Sequence, residues 1–125
     1  MNVRRHLSAL LAAAALVPLA GCELLKKNEA AQATVNARAI GLSIGEFQDR
    51  FGRPHASVDL GGGAAAYAWE SAVEGTPPGP DSRDQRICKL RIAADRRGQI
   101  VSADIVHDGL GRRSTSRCTE IFSPA

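Results

Sequence analysis

Arg4, Arg5 and His6 precede an apolar, alanine-rich run over residues 7–17, and the run closes on Leu19-Ala20-Gly21-Cys22. A permanent membrane helix needs about 20 apolar residues to cross a hydrocarbon core of ~30 Å, and this run is shorter. A positive start, a short apolar core and small residues before a boundary are the signature of a cleaved export signal. Its removal before Cys22 leaves 104 of the 125 residues, which is room for one small domain and not for two.

Leu-Ala-Gly-Cys is a lipobox, and the segment resembles the precursors of bacterial lipoproteins. The resemblance implies that the Cys22 thiol is acylated with diacylglycerol and that cleavage then frees its amine for a further chain. Several acyl chains on one residue anchor stably, because each buried methylene contributes about 0.8 kcal/mol while a single chain is marginal. Glu23 stands after the cysteine where an Asp would favour retention in the inner membrane, so the sorting pattern favours the outer membrane. The arginine pair is followed by His-Leu-Ser, a poor match to a twin-arginine signal, and the general export route is expected.

Without Arg4 and Arg5 the remainder carries 14 Lys and Arg against 13 Asp and Glu. A balance this close to neutral does not predict a nucleic-acid partner, since non-specific phosphate binding needs a clustered basic excess. A domain of this size buries only about 60–70% of its unfolded surface and gains from a covalent staple. With Cys22 acylated, Cys88 and Cys118 are the one intramolecular pair left, and an oxidising compartment would join them. Closing that loop stabilises a fold by about 3–4 kcal/mol in the chain-entropy account.

Residues 23–33 are polar and alanine-rich, with Lys26 and Lys27 close to the anchor, and read as a tether. Thr34 can cap a short helix over residues 35–40 that Gly41 ends. Ser43 and Glu46 have the spacing of a capping box, and Ile44, Phe47 and Phe51 recur at helical intervals until Gly52 and Pro54 stop the helix. Gly61 to Gly63 form a bend. Residues 65–73 read as a strand with Tyr67 and Trp69 on one face, and residues 74–83, with Thr-Pro-Pro-Gly-Pro, as an irregular loop. In residues 87–94, Cys88, Leu90 and Ile92 alternate with Lys89 and Arg91, which predicts a half-buried strand. Asp95 to Gly98 make a turn, and residues 100–107 return as a strand with Val101, Ala103 and Ile105 inward. The tail from Asp108 is polar and would fray unless the Cys88–Cys118 bridge pinned it.

Gly41-Leu42-Ser43, Phe47, Phe51-Gly52-Arg53-Pro54, the Tyr67 and Trp69 pair and Asp95-x-x-Gly98 together look like the BamE family, also called SmpA/OmlA. The resemblance covers about residues 35–105. It implies an α+β fold in which two short N-terminal helices pack on a three-stranded antiparallel sheet, here with a disulfide-tethered C-terminal segment. The proline-rich loop and the Cys88/Cys118 pair are additions to that pattern. The resemblance further implies a non-enzymatic accessory of outer-membrane assembly or integrity that contacts partner subunits and anionic lipid. The organisation expected is a signal over residues 1–21, a lipidated tether over 22–33 and one domain over 34–125. Other envelope lipoproteins and inhibitor-like modules share this fold, so a periplasmic inhibitor or cell-wall-binding module is the alternative, with the loop at Thr76 to Pro80 as its contact.

Four constellations bear on chemistry. Gly41-Leu42-Ser43-Ile44-Gly45 matches the nucleophile elbow, but an elbow needs a buried strand before its serine and a large sheet around it, so Ser43 reads as a helix cap and no catalytic residue is assigned. His55 and His107, with Asp104 or Asp108, have no metal-ligand spacing, and no metal or other cofactor is expected. Gly61-Gly62-Gly63 lacks the Lys and Ser/Thr of a phosphate loop. Arg96, Arg97, Arg112 and Arg113 are turn residues that could meet lipid phosphates, each contributing about 1 kcal/mol near an anionic surface. The partners expected are therefore membrane lipid through acylated Cys22 and an envelope protein.

Overall fold

A computed structural model describes residues 20–72 and 86–124, with side chains described from Asn28 onward. Residues 1–19 of the leader and the proline-rich loop lie outside the described residues. The order of elements is α1 (Ala20–Ala39), α2 (Ile44–Phe51), β1 (Ala56–Gly61), β2 (Ala64–Glu70), β3 (Cys88–Ala94), β4 (Ile100–Asp108) and α3 (Arg117–Phe122). The strands form one antiparallel sheet in the order β1-β2-β3-β4, each paired with its neighbour in sequence. The fold is α+β, and the described residues form four strands and three helices where three strands and two helices were expected.

α1 differs most from the sequence expectation. Residues 23–33, read as a tether, continue without a break into the helix expected at 35–40. Thr34 does not cap it; its Oγ1 donates to Ala30 O at 2.9 Å, one turn back inside the helix. The cause is a stripe of Ala31, Val35 and Ala39, spaced by four and buried to 1% or less. These small residues let α1 lie close against the sheet, and tertiary packing of one face is what stabilises most protein helices.

α2 follows the sequence closely. Ser43 is its N-cap, with Oγ accepting from Glu46 N at 3.1 Å, and Gly52 ends it at φ +99°, a conformation that side chains other than glycine rarely adopt. β1 was not expected as a strand. It turns back through Gly61 to Gly63 and pairs from Ala56↔Ala68 to Gly61↔Ala64, yet all six of its residues are exposed.

β3 carries the predicted alternation: Cys88, Leu90 and Ile92 are buried and Arg91 is exposed. In β4 the expected inward face holds at Ala103 and, half-buried, at Ile105, and fails at Val101. Val101 is 55% exposed while Ile100 and Ala103 are each 1% exposed. The register against β3 shifts between Ala93 and Ala94 and again between Lys89 and Leu90. A bulge places two residues opposite one and resets which face follows, so Ile100 and Ala103 both face the helices although they are three apart.

Helices cover one face of the sheet. Four of the chain's five aromatic rings meet there: Phe47, Phe51, Trp69 and Phe122, with centroids 4.5–6.1 Å apart. Trp69 is 1% exposed, and its Nε1 donates to Phe51 O at 3.2 Å, satisfying a carbonyl that the end of α2 leaves without an intrahelical partner. Tyr67, on the same face of β2, is only half-buried and packs at the margin of this core. The Cys88–Cys118 disulfide joins the start of β3 to the first turn of α3 across a separation of 30 residues and so brings Phe122 into the aromatic cluster.

Candidate interaction surface

A sheet of four strands has two edges, and this one treats them differently. Along β4 the edge is occupied. Gly41 N donates to Ile100 O at 3.0 Å, Ile100 N to Leu42 O at 2.8 Å and Ile44 N to Gly98 O at 2.8 Å, so the link between α1 and α2 lies against the start of the strand. Further along, the side-chain amide of Gln32 takes over: Nε2 donates to Ala103 O at 2.7 Å and Oε1 accepts from Ile105 N at 2.9 Å. Asn36 Oδ1, one turn along α1, accepts the other Nε2 proton at 2.8 Å and fixes the orientation of that amide. Unpaired backbone groups at a sheet edge are a template for pairing with another chain, and Gln32 closes that template on β4. Beyond it, α1 and residues 105–108 border an open groove of about 610 Å³.

Among the described residues, the β1 edge has no such cover. His55 N donates to Ala68 O at 3.0 Å and Ser71 N to Cys88 O at 2.9 Å. In an antiparallel ladder successive residues point their backbone groups to alternate sides. Even-numbered residues of β2 therefore bond to β1, through the pairs Ala56↔Ala68 and Val58↔Ala66. Ser57 and Asp59 then present their backbone groups to the outside. Val58 and Leu60 are 62% and 58% exposed. Two open grooves flank the strand. On the face away from the helices Ala56, Val58, Ala66, Ala68 and Val106 line an apolar one of about 270 Å³. On the helix side Gln48, Arg53, His55, Ser57 and Tyr67 line a polar one of about 380 Å³.

The arginines expected to meet phosphates fall at two ends of the molecule. Arg96 and Arg97 are exposed in the β3–β4 turn, beside the glycine turn of β1–β2, where a Cβ on Gly63 would stand 3.2 Å from that of Arg96. Arg112 and Arg113 are exposed in the loop after β4. Their backbone N–H groups donate to the two carboxylate oxygens of Glu120 at 2.6 and 2.5 Å, while Asp108 accepts from Ser116 Oγ at 2.6 Å and Cys118 N at 2.9 Å. Two carboxylates thus shape the loop that carries these arginines. α1 runs antiparallel to β4, with Gly41 beside Ile100 and Gln32 beside Ala103, and so points its N-terminus toward the Asp108 end. With ~1.5 Å of rise per residue, Cys22 lies about 25 Å along the helix from Ala39. Arg112 and Arg113 are on the Cys22 end and Arg96 and Arg97 on the opposite one.

Ser43 Oγ is engaged as the α2 cap, and the segment before it is a helix and a turn, not a buried strand. His55 precedes β1 and His107 sits in β4, on opposite edges of the sheet. Among the described residues, no group of three His, Cys, Asp or Glu side chains could hold a metal ion, and no helix is long and apolar enough to cross a membrane. The edge of β1 and its closed counterpart were missed in the sequence, although Ser57-Val58-Asp59-Leu60 alternates before a glycine turn and so carries a hairpin signal. No protein-family model, no curated protein and no solved structure matches this chain.

Proposed function

We propose that this chain is an envelope lipoprotein, acylated at Cys22, that works without catalysis as a binding accessory of outer-membrane assembly or integrity. The single observation that carries the binding role is β1, an edge strand exposed along its whole length beside a sheet whose other edge is closed by Gln32. On this reading the mature helix runs from Cys22 to Ala39, so an acylated Cys22 would hold the domain at the end of a rod and not on a slack tether. Arg112 and Arg113 would then be the pair near lipid phosphates, and Arg96 and Arg97 would face away from the bilayer. The BamE-like resemblance is kept within this proposal, on α2 with its Ser43 cap and Gly52 stop and on the antiparallel strands after it.

Affinity purification of the detergent-extracted protein tests this reading. Recovery of subunits of the outer-membrane assembly machine is the expected result. Their reproducible absence, with a secreted enzyme or cell-wall fragments recovered instead, would replace it with an inhibitor or cell-wall-binding role.

A further inference from the structure

We infer that the open edge of β1 is the docking site for an extended segment of another protein, which joins the sheet as a fifth strand. The inference deepens the binding-accessory reading above and rests on it. Ser57 and Asp59 offer the outward backbone donors and acceptors such a strand would pair with, which is the main-chain basis of recognition by strand addition. The flanking grooves define its side chains. Toward the apolar face of Ala56, Val58 and Ala66 it carries small apolar residues; on the helix side, where Ser57 and Tyr67 line the polar groove, it carries polar ones. Asp59 is the one charged residue in β1, and opposite charges facing each other across a strand pair are favourable. The incoming segment therefore places a lysine or arginine opposite Asp59.

A second copy does not suit this edge. Two-fold pairing of β1 with itself requires antiparallel strands, because the bonding residues of a symmetric parallel pair would meet like group to like group. In an antiparallel pair the two α1 rods point in opposite directions along the joined sheet. Both Cys22 residues would then lie at opposite ends and could not anchor upright in one bilayer. A strand from a different chain carries no such restriction.

The test uses the mature protein in detergent micelles and a short synthetic peptide of alternating Val and Lys, followed by amide hydrogen exchange. The peptide is expected to slow exchange at Ser57 and Asp59 by about tenfold or more and to leave Ile105, already bonded to Gln32, unchanged. Ser57→Pro removes an outward N–H without touching the β1–β2 ladder, at an edge position where proline is tolerated, and should weaken binding about tenfold. A peptide of alternating Val and Glu should bind about threefold more weakly, and Asp59→Lys should reverse that order. Absence of protection in β1, equal binding to Ser57→Pro, or protection of Ser57 and Asp59 that rises with protein concentration alone would overturn the inference, the last in favour of a second copy. The mass of the amino-terminal peptide from the same sample reads Cys22 acylation separately, so failure at the edge and failure of the anchored reading are told apart.

Discussion

Gln32 on α1 binds the backbone of β4 as a neighbouring strand would, donating to Ala103 O at 2.7 Å while its Oε1 accepts from the next outward-facing amide. One polar side chain thereby does two things. It fastens the helix that leads to Cys22, and it decides which edge of the sheet stays available.

Replacing Gln32 by Ala should remove both bonds and cost about 1–2 kcal/mol, which lowers the melting temperature of a domain this size by about 5–10 °C. The Ile105 amide should exchange faster than in the parent protein. An unchanged Ile105 rate in a folded variant would mean that Gln32 does not hold the edge.

Reduction of the Cys88–Cys118 bond should destabilise the domain by about 3–4 kcal/mol, read from urea melts with and without reductant. Loss should begin at α3, because Phe122 reaches the aromatic cluster from a helix of six residues. Near-ultraviolet dichroism of Trp69, which meets Phe122 edge-on at 5.6 Å, should change before the far-ultraviolet signal of the sheet. Coincident loss of both signals would contradict this order.

Ser43→Ala should cost about 1 kcal/mol as a lost helix cap and leave partner binding unchanged. Turnover of any ester or amide substrate that the parent protein performs and the folded variant lacks would overturn the assignment of Ser43 as structural.

Gly111→Ala should unfold the loop over α3, since a Cβ there meets the Glu120 carboxylate and stands 3.0 Å from Ser114 O. Glu120 could leave only by giving up Arg112 N and Arg113 N, so the cost should be about 1–3 kcal/mol. Faster exchange at the Arg112 and Arg113 amides would check it.

What was legible in the sequence was local. Ser43 and Glu46 three apart, glycine at position 52, and Cys88, Leu90 and Ile92 two apart each define their surroundings through near neighbours. The length of α1 was not legible, because Ala31 and Ala39 give little hydrophobic signal and the contact that holds them comes from β4, some 70 residues away. Val101 was misassigned because a bulge breaks the alternation that strand reading relies on, and a bulge in β4 leaves no residue-type mark here. β1 buries nothing, so burial patterning could not announce it; only its alternation and the glycine turn could. The pairing of Cys88 with Cys118 was readable by elimination, since Cys22 has its own chemistry in the expected precursor. Gln32 meets β4 because it follows Ala31 on the face of α1 that borders the strand, and Asn36, one turn along the same face, holds its amide.

The mass of the mature amino-terminal peptide, isolated from the membrane fraction, tests the anchored reading most directly. The expected chain begins at Cys22 and carries diacylglycerol on its sulfur. A chain beginning elsewhere, an unmodified Cys22 thiol, or a protein recovered wholly outside the membrane fraction would contradict it.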